Sequence, residues 1–308
     1  MKHFLYLLIC LSFVTTNIVS QVSHKVDFSK NNLGIADFKG QDKNNYTKVQ
    51  FENLRTTSEA GSPELPVKYV NLIIPSDKQV SDIIIESMPG DIHTLTNQVY
   101  PVQPDIPTSI NQKDPDFAKP SSEIYTADKP YPSSLVKIVN DGYFDGSNHI
   151  ITLAVYPVQY EPVKGKLSFY KSVSFALKTT PGSGNSLQVK YRKPENQVLY
   201  DNILQNLVDN PEDISSYQVK AQNRLGKNPN STNTVNFYEY VIITSSTLQS
   251  SFSKFIEWKK RKGIDIGVVT TSDIYANYSG DLISGISDNA GKIRQYLSDA
   301  YTQGTVWV

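Results

Sequence analysis

The chain has 308 residues, a length that favours about two domains. Hydrophobic residues make up 39% of it, which excludes a wholly disordered chain. The formal net charge of +0 gives no electrostatic footprint for nucleic acid or an anionic membrane surface, so neither is expected as a partner.

Residues 1–20 have the pattern of a secretory signal peptide. Lys2 gives a positive start, Phe4 to Val14 an apolar core, and Ser20 a small residue at the expected cleavage site. No stretch of the chain is long and apolar enough to span a bilayer, so we expect an exported protein, secreted or at the cell surface. Cys10 is the single cysteine and lies inside this leader, so the mature chain has neither a disulfide nor a thiol nucleophile.

Strand signals dominate residues 21–180. The proline-rich turn GSPELP, from Gly61 to Pro66, leads into an apolar run. Strands are predicted at 67–74, 80–88 and 91–100, with three more antiparallel strands in 133–179. Turns are predicted at Asp145-Gly146 and Lys164-Gly165. Alternating apolar residues then predict that residues 21–180 form an all-β sandwich.

Residues 101–123 interrupt this pattern. They contain five prolines and show neither the strand nor the helix period. Connections of this length without regular structure are often functional. We interpret the stretch as a binding loop with Lys113 and Lys119 along it, and an irregular edge segment of the sheet is an equally good interpretation.

Residues 181–235 are predicted to hold one helix and an exposed linker. Val198, Ile203 and Leu207 give the helix an apolar side, and Pro211 ends it. Residues 212–234 are polar and poor in apolar anchors. Proteolytic nicking concentrates in such segments, so a processing site is expected here.

Residues 236–308 alternate between strand and helix patterns. The predicted order is a strand at Tyr240–Thr244, a helix from Leu248 to Lys262, a strand at Ile264–Val269, a helix ended by Gly304, and a third strand that begins with the last residues. This order predicts a parallel, helix-covered sheet with right-handed crossovers, incomplete at Val308. The expected fold class is therefore mixed, an all-β sandwich followed by an incomplete α/β domain.

The order of leader, β-rich domain, linker and α/β segment resembles the N-terminal part of the gingipain-type secreted cysteine peptidases, which are caspase-like. The resemblance covers nearly all of the chain after the leader, and each motif alone is weak. The motifs that carry it are G-x-P-x-L-P at Gly61 to Pro66, YPVQYEPVKGKLSFY at Tyr156 to Tyr170, YVIIT at Tyr240 to Thr244, VVTTSDIY at Val268 to Tyr275, and IRQYLSDAY at Ile293 to Tyr301.

The resemblance implies a propeptide that assists folding and holds a peptidase catalytic domain inactive, with a loop across the active-site cleft. The peptidase would be its partner in cis, or in trans if this segment is expressed alone. Cleavage in the connecting segment would release it, and Arg224 or Lys227 are the expected cut positions if the enzyme prefers basic residues. Structural calcium is implied by the resemblance alone, because Asp273, Asp281 and Asp288 do not have the spacing of an EF-hand loop.

We assign no catalytic residue. The histidine and cysteine dyad of the family lies beyond the third strand, whereas all four histidines here precede residue 150. A serine hydrolase is excluded because the chain has no G-x-S-x-G turn and no histidine after it. His93 and His149 lack clustered Cys, Asp or Glu, so no metal site is expected. The chain as given is therefore predicted to be inactive as a peptidase.

An alternative interpretation is a secreted β-sandwich module for adhesion or surface interaction, without a link to peptidases. A sandwich fold permits this because it does not fix function. The sequence beyond Val308 would discriminate, since a loop with histidine and a later cysteine supports the peptidase.

Overall fold

The computed structural model describes residues 21–106, 115–184, 187–223, 235–280, 285 and 287–308. The fold is mixed, with many strands and several short helices. The strands are β1 Gln21–Asp27, β2 Leu33–Lys39, β3 Asn45–Phe51, β4 Arg55–Thr56, β5 Pro66–Ile74, β6 Lys78–Thr94, β7 Val136–Phe144, β8 Asn148–Val155, β9 Val158–Glu161, β10 Lys166–Pro181, β11 Tyr191–Arg192, β12 Gln222–Asn223, β13 Tyr240–Thr244 and β14 Ile266–Thr270. The helices are α1 Ser122–Tyr125, α2 Pro194–Leu207, α3 Ile214–Tyr217, α4 Ser253–Arg261, α5 Thr271–Asn277 and α6 Asn289–Thr302, with 3₁₀ turns at Lys30–Asn32, Pro211–Asp213 and Ser246–Phe252.

Residues 21–184, called the β half below, contain two four-stranded antiparallel sheets. One has the order β1-β10-β6 with β9 also paired to β10, and the other has the order β4-β5-β8-β7. Strands β2 and β3 form a separate hairpin. Both sheets contribute to one core, in which Leu72 and Leu153 from the second sheet and Leu167 and Phe169 from the first are buried.

The region after residue 88 differs from the expected strand at 91–100. Strand β6 continues through Pro89 and Gly90 to Thr94, with register shifts where β10 passes Tyr170. A Cβ on residue 90 would lie 2.6 Å from Cδ1 of Phe169, so the absence of a side chain lets the Phe169 ring pack against the strand. A glycine that looks like a strand break in the sequence thus marks an irregularity within one long strand.

The predicted helix with Val198, Ile203 and Leu207 on its apolar side is α2, but its buried face differs in part from the expected one. Val198 and Ile203 are 59% and 43% exposed, whereas Leu207 is partly buried and Leu204 and the following Val208 are buried. These two pack with Ile73 of β5 and Ile150 of β8. The helix therefore packs on the β half through this apolar cluster.

Residues 235–308, called the α/β half below, contain a small parallel sheet. Strands β13 and β14 pair in parallel, and Tyr240 forms a parallel bridge with Trp307 on the other side. Helices α5 and α6 contribute Ile274, Tyr296 and Ala300 to a core with strand residues such as Val241. Among the residues that the structure describes, no helix has the length and apolarity needed to cross a lipid bilayer.

The helix predicted from Leu248 to Lys262 is a 3₁₀ turn followed by the shorter α4. The helical period places Leu248, Phe252, Phe255 and Ile256 on one face. Leu248 is 55% and Phe255 36% exposed, whereas Phe252 and Ile256 are partly buried. Helix α5 was not predicted, because no element was assigned between the strand that ends at Val269 and the last helix. Its start has a recognisable signal, since Oγ1 of Thr270 accepts a hydrogen bond from the Asp273 backbone N–H, 3.1 Å away.

Candidate functional site

Residues 101–121, called the projecting loop below, leave the β half at the Gly61 turn and return to it. Val102 donates its N–H to the Ser62 carbonyl (2.8 Å) and accepts from the Gly61 N–H (2.9 Å). Ser121 donates its N–H to the Gly61 carbonyl (2.9 Å). Both legs of the loop are therefore held by two adjacent residues of the GSPELP motif.

A side-chain amide ties the two legs together above that turn. Nε2 of Gln103 donates to the Ala118 carbonyl (3.1 Å), and Oε1 of Gln103 accepts from the Ala118 N–H (3.0 Å). The same Nε2 atom also donates to the Pro101 carbonyl (2.9 Å). An amide side chain here takes the place of the peptide–peptide pairing of a hairpin, so the two described legs are joined at the base of the loop.

Gly61 is needed where it stands. Its φ of +83° lies in the left-handed region, and a Cβ at this position would lie 3.0 Å from the Lys119 carbonyl oxygen. On the sequence this glycine marked only a turn before a strand. In the structure it is the position where the returning leg of the loop meets the β half.

The predicted loop residues have different outcomes. Lys119 is exposed and lies on the returning leg, and Asp105 and Ile106 are exposed on the outgoing leg, Ile106 by 71%. Lys113 lies outside the described residues, as do the processing candidates Arg224 and Lys227 and the signal cleavage residue Ser20.

A second site, which the sequence did not reveal, surrounds residues 187–223, called the connector below. The hairpin turn Asp145 to Asn148, called the anchor turn, holds the connector with three side chains. Oγ of Ser147 accepts from the Val189 N–H (3.1 Å), and Oδ1 of Asn148 accepts from the Val219 N–H (2.9 Å). At Gly146 a Cβ would lie 2.4 Å from the Leu187 carbonyl oxygen, so only glycine permits this approach.

The third contact of the anchor turn is an ion pair. Nη1 of Arg192 lies 3.0 Å from Oδ2 of Asp145, and their side chains are only 3% and 1% exposed. Oδ1 of Asp145 accepts from the Asn148 N–H (3.2 Å) and from its Nδ2 (3.0 Å), so the carboxylate is held on both oxygens. The guanidinium of Arg192 lies over the Tyr200 ring, 3.7 Å from its centroid.

The ring of Tyr301 from α6 reaches the same place, since its Cε1 would lie 3.3 Å from a Cβ on Gly146. Burial raises the pKa of the Tyr301 phenol, and the negative charge of Asp145 raises it further, against a lowering by Arg192. The phenol is therefore neutral at physiological pH. The β half, the connector and the α/β half meet at this point.

The opposite side of the connector contacts the α/β half. Nζ of Lys193 forms an ion pair with Oε2 of Glu239, and Nδ2 of Asn196 donates to Oε1 of the same carboxylate (2.9 Å). The Lys190 N–H donates to the Thr302 carbonyl (2.9 Å). Burial raises the pKa of Glu239, but the hydrogen bonds from Lys193 and Asn196 outweigh it, so the net pKa is lowered from its usual value.

The expected exposed linker at 212–234 begins later than predicted. Ile214 and Tyr217 pack with Leu204 and Val208, and the Gln218 side chain donates to Asp201 (2.6 Å). Residues 224–234 lie outside the described residues, and Val235, which follows them, is 4% exposed in the core of the α/β half.

The aspartates considered for calcium serve other roles where they are described. Asp273 takes part in the cap of α5, and Oδ1 of Asp288 accepts from the Gly291 N–H (2.8 Å) at the start of α6. Asp281 lies outside the described residues. Within the described part of the chain there is no group of three or more His, Cys, Asp or Glu side chains placed to hold a metal ion.

Two of the three histidines of the β half, His93 and His149, were considered as metal ligands and have structural surroundings. Nε2 of His149 lies 2.6 Å from Oδ1 of Asp141, and its ring stacks on Tyr143 with 4.3 Å between centroids. Nε2 of His93 is buried and has no hydrogen-bond partner among the described residues. Neither histidine lies in the α/β half, where the chemistry of a parallel sheet would be expected.

A family model described as Propeptide_C25 matches residues 15–201, well over half of the chain. The chain belongs to this propeptide family. A second model, described as Peptidase family C25, matches residues 233–306. The protein is thus the propeptide region of a gingipain-like cysteine peptidase precursor, joined to part of the peptidase domain, and the adhesion interpretation is not favoured.

Two solved structures resemble this C25 propeptide chain, and both concern proteins of Porphyromonas gingivalis. The complex of RgpB pro- and mature domains is 17% identical with a TM-score of 0.47, and the match covers 63% of this chain and 92% of that chain. A structure on the zymogenic latency of gingipain K is 19% identical with a TM-score of 0.43, covering 54% and 90%. No curated protein matches the chain in sequence.

Proposed function

We propose that this chain is exported as a latent precursor, with its leader removed after Ser20. Residues 21–180 would form a β-sandwich propeptide that assists folding of a caspase-like cysteine endopeptidase and then blocks its cleft. The two family matches support this division, because the first ends at residue 201 and the second begins at residue 233. The expected connecting segment, 181–235, contains the gap between them.

The observation that carries the blocking role is the closed base of the projecting loop. Its legs are fixed by Gly61 and by the Gln103 amide, and the returning leg is also held by Phe117, whose ring contacts Tyr46 and Tyr100. The outermost described residues, Asp105 and Ile106, are exposed. A loop with a fixed base and exposed outer residues is suited to enter a cleft on a partner domain.

The prolines of the loop support an inhibitor rather than a substrate. Pro104, Pro115 and Pro120 each fix φ near −65°, which lowers the conformational entropy lost when the loop binds. A rigid peptide that is already close to its bound shape binds more tightly than a flexible one. Proline also lacks the N–H that an extended substrate donates to the edge of a peptidase cleft.

Release would follow cleavage in residues 224–234, at Arg224 or Lys227 for an enzyme that prefers basic residues. The described residues on each side support this position. Asn223 pairs with Arg192 in a short parallel bridge, and Val235 is buried in the α/β half, so a cut between them leaves both ends packed. The peptidase would be engaged in cis before the cut and in trans after it.

Inhibition in trans tests the proposal. The purified chain 21–308 is added to an active C25 peptidase and residual activity is measured on a fluorogenic peptide. We expect inhibition at about 1 μM, in the range of specific protein–protein affinities. No inhibition by a folded chain at that concentration would overturn the blocking role.

A loop replacement sharpens the same assay. Residues 104–116 are exchanged for Gly and Ser, which keeps Gln103, Ala118 and the Phe117 ring in place. We expect inhibition to be lost while the melting temperature stays within a few degrees, because the contacts at the base of the loop are retained. Lys220→Ala, an exposed change in the connector, is the matched control and leaves inhibition unchanged.

A further inference from the structure

The connector is packed against the β half by contacts of several kinds. Leu204 and Val208 are buried on Ile73 and Ile150, and the anchor turn holds Val189, Arg192 and Val219. Asn210, which is 0% exposed, adds a backbone-like pairing: its Oδ1 accepts from the Ile73 N–H (2.9 Å) and its Nδ2 donates to the Ile73 carbonyl (3.0 Å). A cut after residue 223 removes none of these contacts.

The contacts of the connector with the α/β half are polar. The carboxylate of Glu239, whose side chain is 12% exposed, receives Lys193 on one oxygen and Asn196 on the other. Further contacts there are those of Lys190 with the Thr302 carbonyl, of Gly304 with the Tyr191 carbonyl, and of the Tyr301 phenol with the Arg192 side chain. Glu239 directly precedes β13, so the pair is fixed to the sheet of the α/β half.

We propose that the connector is a clasp that binds the α/β half through the Lys193–Glu239 pair and keeps the two halves together after cleavage in 224–234, independently of the projecting loop. The partner surface is the stretch just before the first strand of the C25 peptidase domain, and its required chemistry is a largely buried carboxylate. After the cut the clasp stays with the β half, because Leu204 and Val208 are buried against that half. The polar contacts between the connector and the α/β half therefore determine how fast the two halves separate.

Charge reversals at Lys193 and Glu239 test this proposal. Lys193 is the N-cap residue of α2, where a negative side chain suits the helix dipole, so Lys193→Glu does not disturb the helix. The Lys193→Glu substitution places a second carboxylate next to that of Glu239, so the two negative charges repel each other. Glu239→Lys produces the opposite clash, and combining the two restores an ion pair of reversed polarity.

The experiment uses the chain 21–308 with a specific protease site placed within 224–234. After complete cutting, the rate at which the two pieces separate is followed by size-exclusion chromatography over time. We expect the cut wild type to elute as one particle, and each single charge reversal to separate roughly tenfold faster or more, because loss of a desolvated pair acts on dissociation. The double reversal recovers most of the retention, and Lys220→Glu, an exposed charge reversal in the same connector, behaves as wild type.

Three outcomes would overturn the clasp. The pieces of the cut wild type could separate as soon as they are cut, both single charge reversals could stay attached as long as the wild type, or the double reversal could separate as fast as the single ones. Replacement of loop residues 104–116 is made in the same background. Retention that depends on that loop and not on Lys193 would assign the attachment to the loop instead. The readout is attachment rather than inhibition, so the clasp can fail while the loop blocks a peptidase, and the reverse.

Discussion

Asp145 and Arg192 are 47 residues apart in sequence and form an ion pair of 3.0 Å in which neither side chain is more than 3% exposed. One residue comes from a hairpin turn of the β half and the other from the connector that leads to the α/β half. Burying two charges is costly, and it is tolerated here because Asn148 and Gln197 supply further hydrogen bonds. The pair fixes where the connector lies on the β half.

Asp145→Asn should destabilise the chain by about 2–4 kcal/mol, because it leaves the Arg192 charge buried without a counter-ion. Asparagine is chosen because φ of residue 145 is +53°, a conformation that asparagine tolerates and alanine does not. Urea denaturation followed by tryptophan and tyrosine fluorescence measures the change. Asp27→Asn is the matched control, since its partner Lys25 and its own side chain are exposed, and it should change stability by less than about 0.5 kcal/mol.

Gly61→Ala should loosen the projecting loop. The left-handed φ and the 3.0 Å distance to the Lys119 carbonyl predict a cost of about 1–2 kcal/mol, taken up by movement of the returning leg. Cleavage by a nonspecific protease within 101–121 should become faster, as measured by mass spectrometry of early fragments. Gly34→Ala has open space around its Cβ and should leave that rate unchanged; equal rates for the two variants would contradict the role of Gly61.

Attachment of the two halves after cutting should weaken in acid. The pKa of Glu239 is lowered from 4.5, so the Lys193 and Asn196 contacts are fully formed above about pH 4.5 and are lost as the pH falls through the lower folded value. The groups facing this carboxylate are Lys193, Asn196 and the backbone at Asp265. Dissociation rates of the cut chain are measured across this range.

Other carboxylates titrate in the same region, so the decisive comparison is with Glu239→Gln. This variant keeps a hydrogen-bonding side chain and removes the charge. It should separate faster at neutral pH and show a smaller change on acidification. An unchanged acid response in the variant would mean that another group controls it.

Limited trypsin digestion should give a stable product that begins near residue 21 and ends after the connector, not before it. Leu204, Val208 and Asn210 hold the backbone of the connector to the β half, so we expect slow cleavage within it although the side chains of Lys190 and Lys220 are exposed. We expect residues 235–308 to be degraded first, because Leu248, Phe255 and Trp258 leave an apolar face exposed. Mass spectrometry of the surviving fragment checks both ends, and equal resistance of the two halves would contradict the expectation.

Local patterns in the sequence predicted local structure well. Strand Tyr240–Thr244 was predicted with its observed bounds, and the Asp145-Gly146 turn has the positive φ values that its sequence predicts. The periodicity of α2 predicted a helix and the inward position of Leu207, but it selected the exposed Val198 and Ile203 instead of the buried Leu204. Only the shape of the opposing sheet decides between such faces.

Contacts between residues far apart in the sequence could not be predicted. The GSPELP motif was recognised in the sequence, but its role in holding the projecting loop was not. Gly61 holds both legs of the loop through hydrogen bonds to Val102 and Ser121, which are 41 and 60 residues further along the chain. Arg192 carries no local signal that its partner is Asp145, and Glu239 none for Lys193. The polar residues that hold the connector were therefore interpreted as linker composition.

Asn210 has a consequence for solubility. In the described chain, β5 pairs with β8 along its length but with β4 only at its first two residues, so from Asn71 onward one side of the strand is covered by Asp209 and Asn210. An uncovered strand edge of this kind can pair with the same edge of another molecule. Any event that peels the connector away, whether a misplaced cut or a substitution at Asn210, should turn a monodisperse preparation into one that self-associates.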